Sequence, residues 1–440
     1  MIDKPGKHRG PLAIRRISVK KLFGSFDYDL SSQNEDKLSK IFILYGDNGS
    51  GKTTVLNLVF HLLAPEDRQN HRTYLSQVLF NELFVELADG TRISAKRPDT
   101  CLEGRYTLAI HSQDLLVAEA EFIPNDQDEP TGRSQRSIGL DFFLMKLSEL
   151  SLPIFYLSDN RTISRSGYSH KETPTQVVRT LRGEVIRRPE DSQQEARLVM
   201  SAVNRAVQWV RQQYVRGSKI GQDNSNGIYA AVIGQIANTK SSRPSQSVLN
   251  PDAIIGRLLA LTERNNRFSS LGLTTPVAFE DFVGPLRKAS RPNKQIIISV
   301  LQPYLDGLNA RLDALQELQE LVATFVENLN SFYAHKRISF NLNDGLRIIT
   351  DQNARLSPGD LSSGERQLLL LLCNVLCSRN LAGIFIIDEP EISLNIKWQR
   401  RLLDALLDCT RGSDIQLLIA SHSIELIAPY ESTVIKLEVS

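Results

Sequence analysis

The chain reads as an α/β protein: a mixed sheet and an antiparallel β lobe, interrupted by a mainly helical insert. Three observations predict this. An apolar run, Ile41 to Tyr45, leads into a glycine-rich loop and then a helical pattern from Val55 to Leu63. Two further apolar runs near the other end, Ile384 to Ile387 and Gln416 to Ala420, have the length and composition of strands buried on both faces. Between Ala13 and Ile123, short stretches of alternating apolar and polar residues are punctuated by turn signals, as antiparallel strands require.

The glycine-rich loop is Gly46, Asp47, Asn48, Gly49, Ser50, Gly51, Lys52, Thr53 and Thr54. Strand, glycine loop and helix in that order form a phosphate cradle. Glycines let the backbone turn its N–H groups inward, and the helix start adds the positive end of its dipole. Lys52 is then expected to reach the β- and γ-phosphates of ATP, and the Thr53 hydroxyl to hold Mg²⁺.

Before the loop, Ala13 to Leu30 reads as two strands around a turn at Gly24-Ser25. After it, Leu79 to Leu87 and Thr91 to Lys96 flank Asp89-Gly90, a hairpin signal. Two more strands follow, Arg105 to Ile110 and Leu115 to Ile123; Pro124 to Arg136 is a polar loop. Leu140 to Leu150 is an amphipathic helix and Pro153 to Leu157 a short buried strand. Arg161 to Thr175 is Ser- and Arg-rich and loop-like. Helices are expected at Gln193 to Arg216, Tyr229 to Ala237 and Ala253 to Arg264, with a break at Gly217 to Asn226 and a Ser/Arg linker at Lys240 to Gln246. Pro276 to Pro292 reads as loop. The strongest helical stripe runs from Leu305 to Phe332, a packing face too short to fold back into long coiled-coil arms. Strands return at Ile338 to Leu342 and Leu346 to Ile349, and Leu361 to Arg366 opens a leucine-rich helix. Ile396 to Leu407 is a helix, and Val434 to Leu437 is the last apolar run.

At 440 residues the chain has room for two or three domains. No stretch is long and apolar enough to span a membrane, and Met1 to Gly10 lacks the apolar centre of a signal peptide. Four cysteines, with Cys373 and Cys377 inside the leucine-rich helix, suit a reducing cytoplasm and small core positions. Net charge is +2, but Asn160 to Val300 holds 21 Lys and Arg against 10 Asp and Glu, which leaves the rest of the chain at −9. Such asymmetry suits either an anionic partner or solvated arginine-rich helix faces.

Two further motifs complete the chemistry. Asp388 and Glu389 emerge from the end of a buried strand, where Asp388 can bind Mg²⁺ through water and Glu389 can orient or deprotonate the water that attacks the γ-phosphate. Leu361, Ser362, Ser363, Gly364 and Glu365 stand at a helix start, a second anion-binding feature some 310 residues from Lys52.

These motifs, in this order, resemble the ABC-type ATPases. Gly46 to Thr53 matches Walker A, Leu361 to Glu365 the signature usually written LSGGQ, Ile384 to Glu389 Walker B, Glu391 to Asn395 the D-loop, and Ser421-His422-Ser423 the switch histidine. The resemblance implies that two heads face each other, that the signature contacts the γ-phosphate held by the partner's P-loop, and that His422 senses that phosphate. Asn395 stands where many members carry Asp, and no Q-loop glutamine is identifiable; Ser158 to Arg161 is the place to look, with Gln113 a weaker candidate. Leu22 to Tyr28 and Asp388 to Leu394 resemble the branch that holds Rad50, SMC, RecF and the OLD and AbiEii-like ATPases. In that branch they resemble the stand-alone ATPase subunits of anti-phage systems of the PARIS, Septu and retron-linked types. The motifs cover about the first 60 and last 80 residues.

The resemblance implies a head formed by residues 1–158 and 336–440, with a basic helical insert at 159–335. It implies a homodimer or higher oligomer through the ATP sites, and a regulatory ATPase whose insert holds or releases an effector, such as a Toprim or HNH nuclease. With 18 residues after His422 there is no room for the nuclease domain of OLD proteins, so cleavage is expected from another chain. The rival expectation is a DNA-repair protein of the RecF or Rad50 kind that binds DNA through Arg179, Arg182, Arg187 and Arg188; an acidic trigger protein is the other candidate for the same surface. A transporter's nucleotide-binding subunit fits poorly, because such chains have no place for the insert.

Overall fold

The computed structural model describes residues 13–31, 40–67, 69–124, 139–159, 163–166, 189–238, 251–278, 280–381 and 383–437. Arg179, Arg182, Arg187 and Arg188, the Lys240 to Gln246 linker, all of the loop Pro124 to Arg136 but Pro124, and most of Arg161 to Thr175 lie outside these residues. The chain divides into two compact units, Met1–Ile186 with Asn374–Ser440, and Arg187–Cys373.

The first unit holds two six-stranded sheets. One is antiparallel, in the order Phe26–Ser31, Ile14–Leu22, Glu82–Leu87, Thr91–Lys96, Tyr106–Ser112, Leu115–Phe122. Its central hairpin turns at Gly90, with φ +82°, and the Asp89 carboxylate accepts from the Thr91 N–H at 2.9 Å. The other sheet runs Val434–Lys436, Ile41–Tyr45, Gln416–Ser421, Ile384–Asp388, Ile154–Leu157, Ile163–Ser166. Its first five strands are parallel and the last is antiparallel. The helix Lys52–Leu63 buries Val55, Leu56, Leu58, Val59, Leu62 and Leu63 in a core shared with side chains of both sheets. This is the α/β architecture that the periodicities predict.

Two elements of this unit are absent from the sequence expectations. Ile163–Ser166 is an edge strand, although its Ser and Arg content reads as loop. His71–Gln77 is a helix of 7 residues, too short for a periodic signal. It is anchored by Arg72, whose buried guanidinium donates to the carbonyls of His61 and Ala64 at 2.6 and 2.7 Å and so caps the end of the helix Lys52–Leu63.

The second unit contains the helices Pro189–Asn238, Pro251–Ser270, Glu280–Lys288 and Arg291–Phe332, and a three-stranded antiparallel sheet of Lys336–Asn341, Gly345–Thr350 and Arg355–Leu356. Here the structure corrects the sequence reading. The expected break at Gly217 to Asn226 does not exist; one helix of 50 residues runs through it. The glycines are contact positions instead. A Cβ at Gly217 would meet Leu315 Cδ2 at 2.8 Å, and one at Gly221 would meet Arg311 Cα at 3.0 Å. Ser225 in turn lies against Gly307. As the first partner number rises the second falls, so the two long helices run antiparallel. At 1.5 Å per residue they reach about 75 and 63 Å, a longer arm than the stripe alone suggests. Likewise Pro276 to Pro292 is not all loop: Pro285 lies inside a helix, and Pro292 occupies the first turn of the next, where a missing N–H costs nothing.

Candidate functional site

Because the strands Ile41–Tyr45, Ile384–Asp388 and Gln416–Ser421 are parallel neighbours, their carboxyl ends share one edge of the sheet. Gly46 to Lys52, Asp388-Glu389 and Ser421-His422 follow those ends directly. The loop turns at Gly49 and Gly51, with φ of +89° and +81°. A side chain at Gly51 would be strained by that φ, and its Cβ would lie 3.1 Å from Leu22. The Tyr28 hydroxyl donates to the Ser50 carbonyl at 2.7 Å and ties the loop to the antiparallel lobe. Asp47, Asn48, Gly49 and Thr53 are exposed, Gly51 and Thr54 partly so, and Gly46, Ser50 and Lys52 are buried.

Lys52 Nζ donates to the carbonyls of Gly46 and Asp47 at 2.8 and 2.9 Å, and lies 4.0 Å from Glu389 Oε1. Asp388 is buried; its Oδ2 accepts from the Tyr156 hydroxyl at 3.3 Å, and its carboxylate is hydrogen-bonded to Thr53. Burial pushes the Asp388 carboxyl up to about 6, with nearby Asp159 and Glu389 adding to the rise and the Thr53 and Tyr156 hydrogen bonds opposing it. Glu389 sits in the left-handed region at φ +48°, fixed by its own N–H donating to Ala420 O at 2.9 Å. A non-glycine residue held there is strained, as functional sites often are. Its other oxygen, Oε2, lies 3.0 Å from His422 Nδ1. Lys52, Thr53, Asp388, Glu389 and His422 therefore form one connected cluster.

The site suits a Mg²⁺ ion. Asp388 Oδ1 is buried with no hydrogen-bond partner, and a carboxylate oxygen of that kind beside a threonine hydroxyl is a hard-oxygen donor set. Thr53 and Asp388 are the residues that would hold it.

The signature residues belong to the second unit. Leu361 and Gly364 are buried, while Ser362 and Ser363 are exposed at the start of the helix Ser363–Ser378. Glu365 serves this turn as a reciprocal cap: its Oε2 accepts from the Ser362 N–H at 2.7 Å, and the Ser362 hydroxyl accepts weakly from the Glu365 N–H at 3.4 Å. Lys336 donates to both Glu365 oxygens at 2.9 and 2.7 Å, and the Tyr333 hydroxyl donates to the Glu365 carbonyl at 2.7 Å.

Asn395, at the D-loop position, caps the helix Ile396–Thr410; its side chain accepts from the Trp398 N–H at 3.1 Å. Gln113 lies at the hairpin turn of the antiparallel sheet, with φ +48°. Tyr156 is a site residue that sequence reasoning did not single out; it lies within the strand Ile154–Leu157, paired with Ile386, and Asp159 follows that strand in the stretch Ser158 to Arg161 already marked.

Residues 255–428 match the family model described as "AAA domain, putative AbiEii toxin, Type IV TA system". The lipoprotein-releasing system ATP-binding protein LolD 1 of Rhodospirillum rubrum is 38% identical over 69 residues, 16% of this chain and 29% of that protein. LolD of Ruegeria pomeroyi is 32% identical over 88 residues, 20% of this chain and 37% of LolD. The chain thus spans about a third of the length of the curated relatives it matches. A solved Smc head domain with an extended coiled coil, bound to the C-terminal domain of ScpA and derived from Pyrococcus furiosus, aligns with a TM-score of 0.38 at 12% identity, covering 96% of this chain and 93% of that one. Among the described residues no helix is long and apolar enough to cross a membrane.

Proposed function

We propose that the chain hydrolyses ATP to ADP and phosphate, and that nucleotide held between two copies controls a partner effector. The convergence of Lys52, Asp388, Glu389 and His422 on one sheet edge carries this proposal. Lys52 leaves its loop carbonyls to neutralise the β- and γ-phosphates. Mg²⁺ bound by Thr53 and Asp388 would neutralise the charge that builds up on the phosphates. Glu389 takes a proton from the attacking water, and its short approach to His422 lets the imidazole report that charge change. The exposed Ser362 and Ser363 hydroxyls and helix-start N–H groups offer themselves to the terminal phosphate of nucleotide held by a second copy. Defence against phage, with a separate nuclease as effector, is the biological role in this proposal; its support is the match of residues 255–428 to a model described as a putative AbiEii toxin of a type IV TA system.

The test is Glu389→Gln, followed by phosphate release and by light scattering with ATP. Turnover is expected to fall about 10³-fold while ATP-bound dimers persist. Turnover at the wild-type rate refutes the role of Glu389, and monomers under all conditions refute the shared site.

A DNA-directed role has its own support in the basic excess between Asn160 and Val300 and in the long antiparallel helix pair. DNA binding that weakens with salt, and that is lost on neutralising Arg179, Arg182, Arg187 and Arg188, would favour it. Binding to an acidic protein without DNA affinity would favour the effector role.

A further inference from the structure

Glu391 is only 3% exposed, and the steps above leave it without a task. One of its oxygens, Oε1, gathers three donors from one turn: the Ser421 hydroxyl at 2.5 Å, the His422 N–H at 3.0 Å and the Ser423 N–H at 3.2 Å. The same oxygen lies 3.4 Å from His422 Nδ1. The ligand atoms of Glu389, Glu391 and His422 all lie within 4.8 Å of one another. Ser421 Oγ also accepts from the Ser423 N–H at 3.0 Å, which closes the turn on itself.

Two successive backbone N–H groups aimed at one anionic oxygen fix the backbone torsions between them. That matters here because the His422 side chain is 43% exposed, so packing alone does not choose its direction. The direction comes from the turn, and the turn is tied to a buried carboxylate two residues beyond Glu389. His422 Nδ1 faces carboxylate oxygens of Glu389 and Glu391 at 3.0 and 3.4 Å, and two acids on that side favour the tautomer with its N–H at Nδ1. The ring is then oriented with Nε2 left for the terminal phosphate.

We propose that Glu391 is a positioning residue: through the turn Ser421–Ser423 it aims the His422 imidazole at Glu389. The proposal rests on the ATPase function above. It predicts that Glu391 and His422 act as one unit in catalysis. The clamp needs acceptor capacity and reach more than charge, so Glu391→Gln, which keeps an acceptor oxygen in place, should conserve much of it, while Glu391→Ala and the shorter Glu391→Asp should not.

The experiment is steady-state ATP hydrolysis by the full chain carrying Glu391→Ala, His422→Ala, both, or Glu391→Gln. We expect kcat to fall about 100-fold in each single alanine variant, with KM within about twofold of wild type. The double variant should be no more than about threefold below His422→Ala, and Glu391→Gln should recover kcat to within about fivefold of wild type. Multiplied losses in the double variant, or a KM that rises with the fall in kcat, would overturn the proposal. If Glu391→Ala fails to fold, Glu391→Asp takes its place with the same expectations. Nitrogen-15 spectra of the His422 ring supply a readout independent of turnover. One protonated Nδ1 state in the wild type should give way to averaged ring nitrogens in Glu391→Ala, and an unchanged spectrum overturns the clamp. A wild-type chain without ATP hydrolysis would strike the ATPase proposal alone, and the ring spectra would still decide for or against Glu391.

Discussion

The P-loop and the signature turn both present helix-start N–H groups to an anion, and they are braced in opposite ways. Around the P-loop the braces are donors satisfied by backbone carbonyls, Lys52 on Gly46 and Asp47 and Tyr28 on Ser50, and Arg72 does the same at the far end of the helix that leaves the loop, on His61 and Ala64. None of these contacts is to a carboxylate. At the signature turn the brace is an acid, Glu365, which occupies the Ser362 N–H and is neutralised by Lys336. In the first arrangement the carboxylate of Glu389 stands off from Lys52 Nζ at 4.0 Å instead of occupying a loop N–H. The second has already spent one N–H on its own side chain, so it is a weaker anion site alone and suits a contact made only when nucleotide is presented to it.

Acid should separate the two regions most widely. His61 and His71 share a hydrogen bond of 2.9 Å beside Phe60 and Tyr74, and burial lowers them to about 3 and about 4, with repulsion from His71 adding to the fall of His61 and Arg72 adding to both. A base whose folded value is depressed lends stability above its unfolded value, here about 6.5, and that stability is lost as pH falls toward the folded value. The P-loop region should therefore lose about 1.4 kcal/mol per pH unit for each histidine between about pH 6.5 and 4. Glu365 is an acid held below its usual range by Lys336 and the Ser362 N–H against the cost of burial, so its contribution persists until the pH drops below about 4.5. Hydrogen exchange across this range should show the helix Lys52–Leu63 opening before the helix Ser363–Ser378. The reverse order would break the comparison.

Lys336→Met is the next largest effect. It leaves the Glu365 carboxylate buried and unpaired, at a cost of about 3 kcal/mol, and the loss should appear in exchange protection at Ser362 to Arg366 with little change at the P-loop. Smallest are two glycine changes within one helix. Gly221→Leu must displace Arg311 and should cost about 2 kcal/mol, whereas Gly227→Ala, with nothing within 4 Å of the new carbon, should add about 0.8 kcal/mol. Equal effects in thermal melts would mean that the close helix approach at Gly221 does not exist in solution.

The nucleotide edge was legible because each part announces itself locally: an apolar run sets a strand, and the residues that follow it must emerge at the strand's end. Asp388, Glu389 and His422 could be placed together on that ground. Glu391 could not, since its burial and its grip on Ser421 to Ser423 depend on a neighbouring strand 30 residues away. Tyr156 was missed for the same reason, while Asp159 falls in the stretch Ser158 to Arg161 that the sequence marked. The helical pair was misread because a glycine's meaning lies in what faces it: Gly217 and Gly221 look like breaks until Leu315 and Arg311 are set opposite. The role of Glu365 as cap and ion-pair partner likewise needed Lys336, supplied by a different element.

The strand order of the mixed sheet bears on how the protein comes into being. Ile41–Tyr45 is flanked on one side by Gln416–Ser421 and on the other by Val434–Lys436, so the strand that carries the P-loop has no neighbour until translation has passed residue 421 and lacks the second until residue 436. A nascent chain on the ribosome owns the loop's residues long before it owns a nucleotide pocket. The long helices, whose contacts lie closer together along the chain, can assemble while that pocket still waits. Unfinished or truncated products would therefore lack the paired strand that carries the loop.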